Sequence, residues 1–154
     1  MNQINTQAIK RYFFISILIS FVCFGSLITC SSADAITNST SDRIIEIYHF
    51  HPTNGCHTCT TIGEYAEETV KKYYPAELEN KTMIFDHINF QDPKNADLVK
   101  KFGVTGSSLM IGVTGPSGFH KEEDVKVWYK TGNKDEFISY LKGLVDRRLA
   151  GSFE

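Results

Sequence analysis

The residues best equipped for chemistry stand together. Cys56-His57-Thr58-Cys59 is a Cys-x-x-Cys set between a Pro52-Thr53-Asn54-Gly55 loop and a run of helical periodicity. A spacing of three on a first helical turn puts both sulfurs on one side, within the Cα separation of about 4.4 to 6.8 Å that an unstrained disulfide requires. The pair can therefore open and close without refolding. Cys56 falls at the helix N-terminus, where unpaired N–H groups and the positive end of the macrodipole favour a thiolate, and is the candidate nucleophile. Cys59 lies one turn in and more buried. It is expected to hold its proton longer and to attack the mixed disulfide that Cys56 forms with a substrate, the part of a resolving thiol. A structural staple is the alternative, but so short a loop removes little unfolded-state entropy. The working group is then the redox-active disulfide itself, and no cofactor is expected.

Histidines surround the pair. His57 lies between the two Cys, where a protonated imidazole stabilises the Cys56 thiolate and makes the disulfide more oxidising. His49, His51, Cys56, His57 and Cys59 fall within eleven residues, and His49 and His51 share one side of a strand. Thiolate and imidazole ligands suit zinc or copper, so the rival reading is a metal site drawn from Cys56, Cys59, His51 and His57, although the order is not that of a zinc finger. Covalent haem attachment is set aside because Thr60, not His, follows the second Cys. A purely adaptor role would turn Trp128, Tyr129, Tyr73 and Tyr74 toward a partner, but aromatics at strand and helix spacing are more often core.

The elements that must position these residues can be read along the chain. Ile44 to Phe50 is a short β-branched apolar run, as in a strand covered on both faces. From Cys56 the spacing turns helical, with Cys59, Ile62, Ala66, Thr69, Val70 and Tyr73 on one face until Pro75. Met83 to Phe90 is the next strand, and Asp92-Pro93 opens a helix that Gly103 closes. Ser108 to Thr114 and Asp124 to Lys130 are expected as an antiparallel pair joined through Gly115-Pro116-Ser117-Gly118. Asn133 and Glu136 form a capping box for a last helix with Phe137, Ile138, Leu141, Leu144, Val145 and Leu149 inward. The order is β-α-β-α-β-β-α. Right-handed crossovers then place helices on both faces of a small four-stranded mixed sheet in an α/β domain.

With that order and with Cys-x-x-Cys after the first strand, the chain from Ile44 to about Leu149 resembles the thioredoxin-like superfamily. The resemblance implies the minimal thioredoxin fold and a thiol-disulfide oxidoreductase working on protein dithiols and disulfides. The His57-Thr58 pair matches neither the Gly-Pro of reducing thioredoxins nor the Pro-His of strong oxidants, so the direction of electron flow stays open. Family members place a Pro in cis before the third strand, facing the disulfide; by register that position is Ser108, where a bond without Pro is expected to be trans. The Ser108 hydroxyl is expected near the sulfurs. His49 falls near the buried Asp that passes a proton to the second Cys in thioredoxins, and is otherwise a hydrogen-bonded core histidine.

Outside this domain, Lys10 and Arg11 precede a seventeen-residue apolar run from Tyr12 to Ile28, an export signal at the low edge of what spans a bilayer. Residues 1–35 are expected as signal peptide or anchor, 36–43 as a polar tether and 44–150 as the thioredoxin-like domain. Leu27-Ile28-Thr29-Cys30 resembles a lipoprotein cleavage box with Cys30 as the lipid-bearing residue, and Ala33-Asp34-Ala35 offers a competing cut. Either way the domain is expected outside the cytoplasm, anchored by lipid or helix in preference to free. A membrane-embedded thiol transporter would then exchange its electrons. Cys23 and Cys30 belong to the leader, so two of the four Cys remain for the domain, too few for a disulfide scaffold. Without Lys10, Arg11 and Asp34 the chain carries 14 basic against 17 acidic residues, with no basic block to follow a nucleic-acid backbone.

Overall fold

The computed structural model of the chain describes residues 43–153. The leader, Cys30 and the tether up to residue 42 lie outside them. Among the described residues no helix is long and apolar enough to cross a membrane.

Four strands form one sheet in the order β2-β1-β3-β4: β1 Ile44–His51, β2 Met83–Asn89, β3 Ser108–Gly115 and β4 Gly118–Glu123. β1 pairs parallel with β2 and antiparallel with β3, and β3 pairs antiparallel with β4. The connection from β1 to β2 contains the long helix α1, His57–Tyr73, and a short one, α2, Pro75–Glu79. Between β2 and β3 run a 3-10 turn over Pro93–Asn95 and helix α3, Ala96–Phe102; a final helix α4 spans Lys134–Leu149. This is the minimal thioredoxin fold.

The alternation of β1 builds two cores. Ile45 and Ile47 point to the face covered by α1 and α4, where they join Ile62, Ala66, Val70, Leu109, Ile111, Phe137 and Leu141. Tyr48 and Phe50 point to the other face and meet Phe102, Ile88 and Met110, with Leu98 and Val99 of α3 laid over them. Fully burying one such side chain stabilises by roughly 1.5–3 kcal/mol, so each face holds its helices by apolar contact.

Local chemistry sets the ends. The Asp92 carboxylate accepts from Lys94 N at 3.1 Å, with Pro93 at the first turn position. Gly103 ends α3 in the left-handed region at φ 69°. Asn133 caps α4 by accepting from Glu136 N at 3.2 Å.

Three expectations change. Pro75 stops α1 but, having no N–H to lose, also starts α2 as its first residue. The inward face of α1 passes from Tyr73, which is exposed, to Tyr74, buried with its hydroxyl donating to Lys142 O at 2.9 Å. The fourth strand is Gly118–Glu123, not Asp124–Lys130. Gly115 pairs with Gly118, leaving only Pro116-Ser117 in the turn, so pairing begins at once. The stretch read as a strand is a 3-10 turn over Lys126–Lys130, with the Asp124 carboxylate accepting from Lys126 N at 2.9 Å. Val127 is buried there and Tyr129 exposed.

Candidate functional site

The site forms where β1 ends and α1 begins. The Pro52–Gly55 loop is tied to the end of β2, Thr53 N donating to Gln91 Oε1 at 2.8 Å and Asn89 Nδ2 to Thr53 Oγ1 at 3.0 Å. This sets the entry of α1. Cys56 is its N-cap, extended at φ −80° and ψ 162°, and its sulfur accepts from Cys59 N at 3.3 Å, the place usually taken by Ser, Thr, Asp or Asn. The two thiols are free, with Cys56 Sγ 2.6 Å from Cys59 Sγ. Cys56 is exposed; Cys59 is buried at 6% exposure.

Behind Cys59 lies a cluster of imidazoles that follows from strand register. His49 of β1 pairs with His87 of β2, and both point to the α1 face. Their Nδ1 atoms are 3.0 Å apart, and His87 Nε2 lies 3.4 Å from Glu67 Oε2 on α1. His51, two residues further along, stacks on His49 with ring centroids 5.6 Å apart, and its Nδ1 donates to Pro52 O at 2.9 Å. Gly63 makes room: a Cβ there would come within 2.9 Å of His87 Cε1 and closer still to the His49 ring. These imidazoles, Cys59, Thr60 and Glu64 border a cleft of about 270 Å3.

His87 carries no sequence motif. Only the pairing register brings it to His49, and the alternation Met83, Phe85, His87 on one strand face is the signal that finds it.

Ser108 does not face the sulfurs. It pairs with Phe50, on the α3 face, and its buried hydroxyl donates to Gly106 O at 3.4 Å. Ser107, one residue earlier and so on the opposite face, receives the Cys59 Sγ contact at 3.6 Å. No peptide bond among the described residues is cis. His57 stands exposed on the first turn of α1, while His51 sits in the cleft with Cys59. Among the described residues no group of three or more His, Cys, Asp or Glu side chains is arranged to hold a metal ion. The four aromatics considered for an adaptor face are dispersed in character: Tyr74 is buried, Trp128 packs against the core, and Tyr73 and Tyr129 are exposed.

Burial pushes the Cys59 thiol up, but hydrogen bonds with the Cys56 and Ser107 side chains and with the main chain outweigh it and bring the thiol down. Burial, aided by the neighbouring His87 and His51, pushes His49 down to about 4, so its imidazole is neutral at pH 7. Access separates the two sulfurs: Cys56 is exposed and Cys59 buried.

No protein-family model matches the sequence, and no curated protein matches it. Among solved structures, the chain is similar to the first two thioredoxin domains of Naumovozyma dairenensis Eps1p, at 22% identity and a TM-score of 0.38 over 57% of this chain. It spans about a third of that protein's length, 32%. The structure of a malarial protein is similar at 18% identity and a TM-score of 0.35, over 56% of this chain and 94% of that one. The thioredoxin-like fold assigned above rests on the strand order and pairing of the chain itself: a mixed sheet β2-β1-β3-β4 with helices on both faces and the two sulfurs where its first helix starts.

Proposed function

We propose that this chain is a thiol-disulfide oxidoreductase that exchanges electrons with protein dithiols and disulfides through Cys56 and Cys59. The observation that carries the reading is the pair itself: two free thiols in contact at a helix N-terminus, one exposed and one buried. In the reducing direction the Cys56 thiolate attacks one sulfur of a substrate disulfide, and the other substrate sulfur leaves as thiolate. Cys59 then attacks Cys56 Sγ, closing the internal disulfide and releasing the second substrate thiol. Oxidation of a substrate dithiol runs the same steps backward.

The surroundings support both half-reactions. The main-chain N–H of Cys59 favours charge on Cys56, and Ser107 meets Cys59 from the other side. His49, His51 and His87 border the same cleft as Cys59, and His87 continues from His49 toward Glu67. The apolar leader supports export and an anchor, and a membrane-embedded thiol transporter is the partner that would renew the pair.

The test is a pair of variants of the full chain. Cys56→Ser is expected to abolish exchange with a protein disulfide, and Cys59→Ser to accumulate a mixed disulfide with it, visible by mass. Wild-type activity in both would refute the assignment.

A further inference from the structure

The two sulfurs open to different spaces. Cys56 faces bulk solvent, whereas the cleft of about 270 Å3 behind α1 is bordered by Cys59 and not by Cys56. A water occupies about 30 Å3 of liquid, so the cleft admits several water-sized groups and no folded protein segment. Its border carries three imidazoles, His49, His51 and His87, with Thr60 and Glu64. We propose that this cleft is a second entrance to the dithiol, through which a small hydroperoxide reaches and oxidises Cys59.

The chemistry of the border selects the oxidant. A thiolate leaving from a small disulfide needs little help near neutral pH, because a thiol ionises near pH 8.5, whereas a hydroxide leaving from a peroxide must be protonated as it goes. Imidazoles suit the second case. His51 is the best placed: its Nδ1–H is held by the Pro52 carbonyl at 2.9 Å, which leaves Nε2 as the nitrogen free to deliver a proton, while the neutral His49 is occupied with His87. Support of the Cys59 thiolate by Cys56 and Ser107 supplies the nucleophile.

The step balances. The Cys59 thiolate attacks one peroxide oxygen; an S–O bond forms, the O–O bond breaks, and the departing hydroxide takes a proton delivered by His51 Nε2 and leaves as water. The Cys56 thiol, 2.6 Å away, then attacks the Cys59 sulfenic acid; the S–S bond forms, the S–O bond breaks and a second water leaves with the Cys56 proton. One peroxide is reduced by two electrons and the dithiol is oxidised to the disulfide. Renewal of the dithiol rests on the exchange proposed above, through Cys56.

The experiment uses the full chain as Cys56→Ser, which cannot close the disulfide, treated with hydrogen peroxide and a sulfenic-acid trap, with the adduct located by mass. Trapping at Cys59 is expected at least tenfold faster in the native protein than in the same variant unfolded in guanidinium; an equal or slower native rate would overturn the proposal. In the otherwise wild-type protein, His51→Asn is expected to slow oxidation by hydrogen peroxide about tenfold or more and to leave oxidation by peracetic acid, whose acetate leaves without a proton, unchanged. Equal slowing of both oxidants would mean that His51 acts only on structure, against the proposal. Exchange with insulin disulfides, measured in parallel on the wild type, keeps the two readings apart: its absence beside rapid peroxide trapping would sink the exchange reading and leave this one standing.

Discussion

β1 runs through the middle of the sheet and presents two faces of opposite character. Toward α3 it shows Glu46, paired with Lys101, and then Tyr48 and Phe50, closed over by Phe102 and Met110, so this face becomes apolar toward its end. Toward α1 it begins with Ile45 and Ile47, then changes to His49 and His51 at the level where α1 starts and Cys59 is buried. The same backbone therefore builds a structural core on one side and, two residues further along on the other, a polar cleft beside two thiols. Buried polar groups cost stability unless they are paired, and His49 and His87 meet that requirement through each other. The α3 face holds the strand in place; the α1 face spends part of its core on imidazoles.

Substitutions can separate the two faces. Phe102→Ala empties the centre of the aromatic face, where the ring is 2% exposed and touches Tyr48 and Phe50. It is expected to cost about 3–5 kcal/mol in denaturant unfolding, with the reduction potential of the remaining folded protein unchanged.

The next effect belongs to the imidazole face. The unfolded chain takes up a proton at His49 near its ordinary 6.5, but the folded chain only near 4, so the unfolded state binds more protons in between. Stability is complete above about pH 6.5 and falls as the pH drops toward 4, by on the order of 3 kcal/mol. Chemical denaturation across that window should show the loss, and His49→Gln should flatten it.

Gly63→Ala drives a methyl group into the His49 and His87 rings and is expected to cost about 1–3 kcal/mol. The readout that distinguishes it from a plain packing defect is a changed pH profile of dithiol reactivity. Smallest is the serine pair. Ser107→Ala removes one partner of the Cys59 sulfur and should shift the thiol titration upward by about 1 kcal/mol or less, while Ser108→Ala, on the other face, should leave it unmoved.

That last contrast shows what the sequence reveals and what it hides. The order of elements, the Cys56 cap, the Gly103 stop and the Asn133 box are legible because each depends on neighbours within a few residues. Ser107 and Ser108 were not separable by sequence, since choosing the residue that faces the sulfurs needs the register of β3 on β1, and an error of one flips the face. His87 is hidden for the same reason: it becomes part of the site only through the parallel pairing of β2 with β1. The misplaced fourth strand has another cause. Val125, Val127, Trp128 and Tyr129 carry strand-forming side chains, whereas the true edge strand, Phe119 to Glu123, is mostly polar because it is exposed at the side of the sheet.

Cys56 and Cys59 are central to this reading as a working redox couple. Its most direct test is the reduction potential of the full chain, measured by equilibrating the pair in graded redox buffers and quantifying dithiol and disulfide by mass. A reversible two-electron couple between about −270 and −120 mV, the range of exchanging dithiols, is expected. A pair that remains a disulfide until below about −300 mV would be a structural bond, and a pair that never closes would be no couple at all; either would rule out a redox role for Cys56 and Cys59.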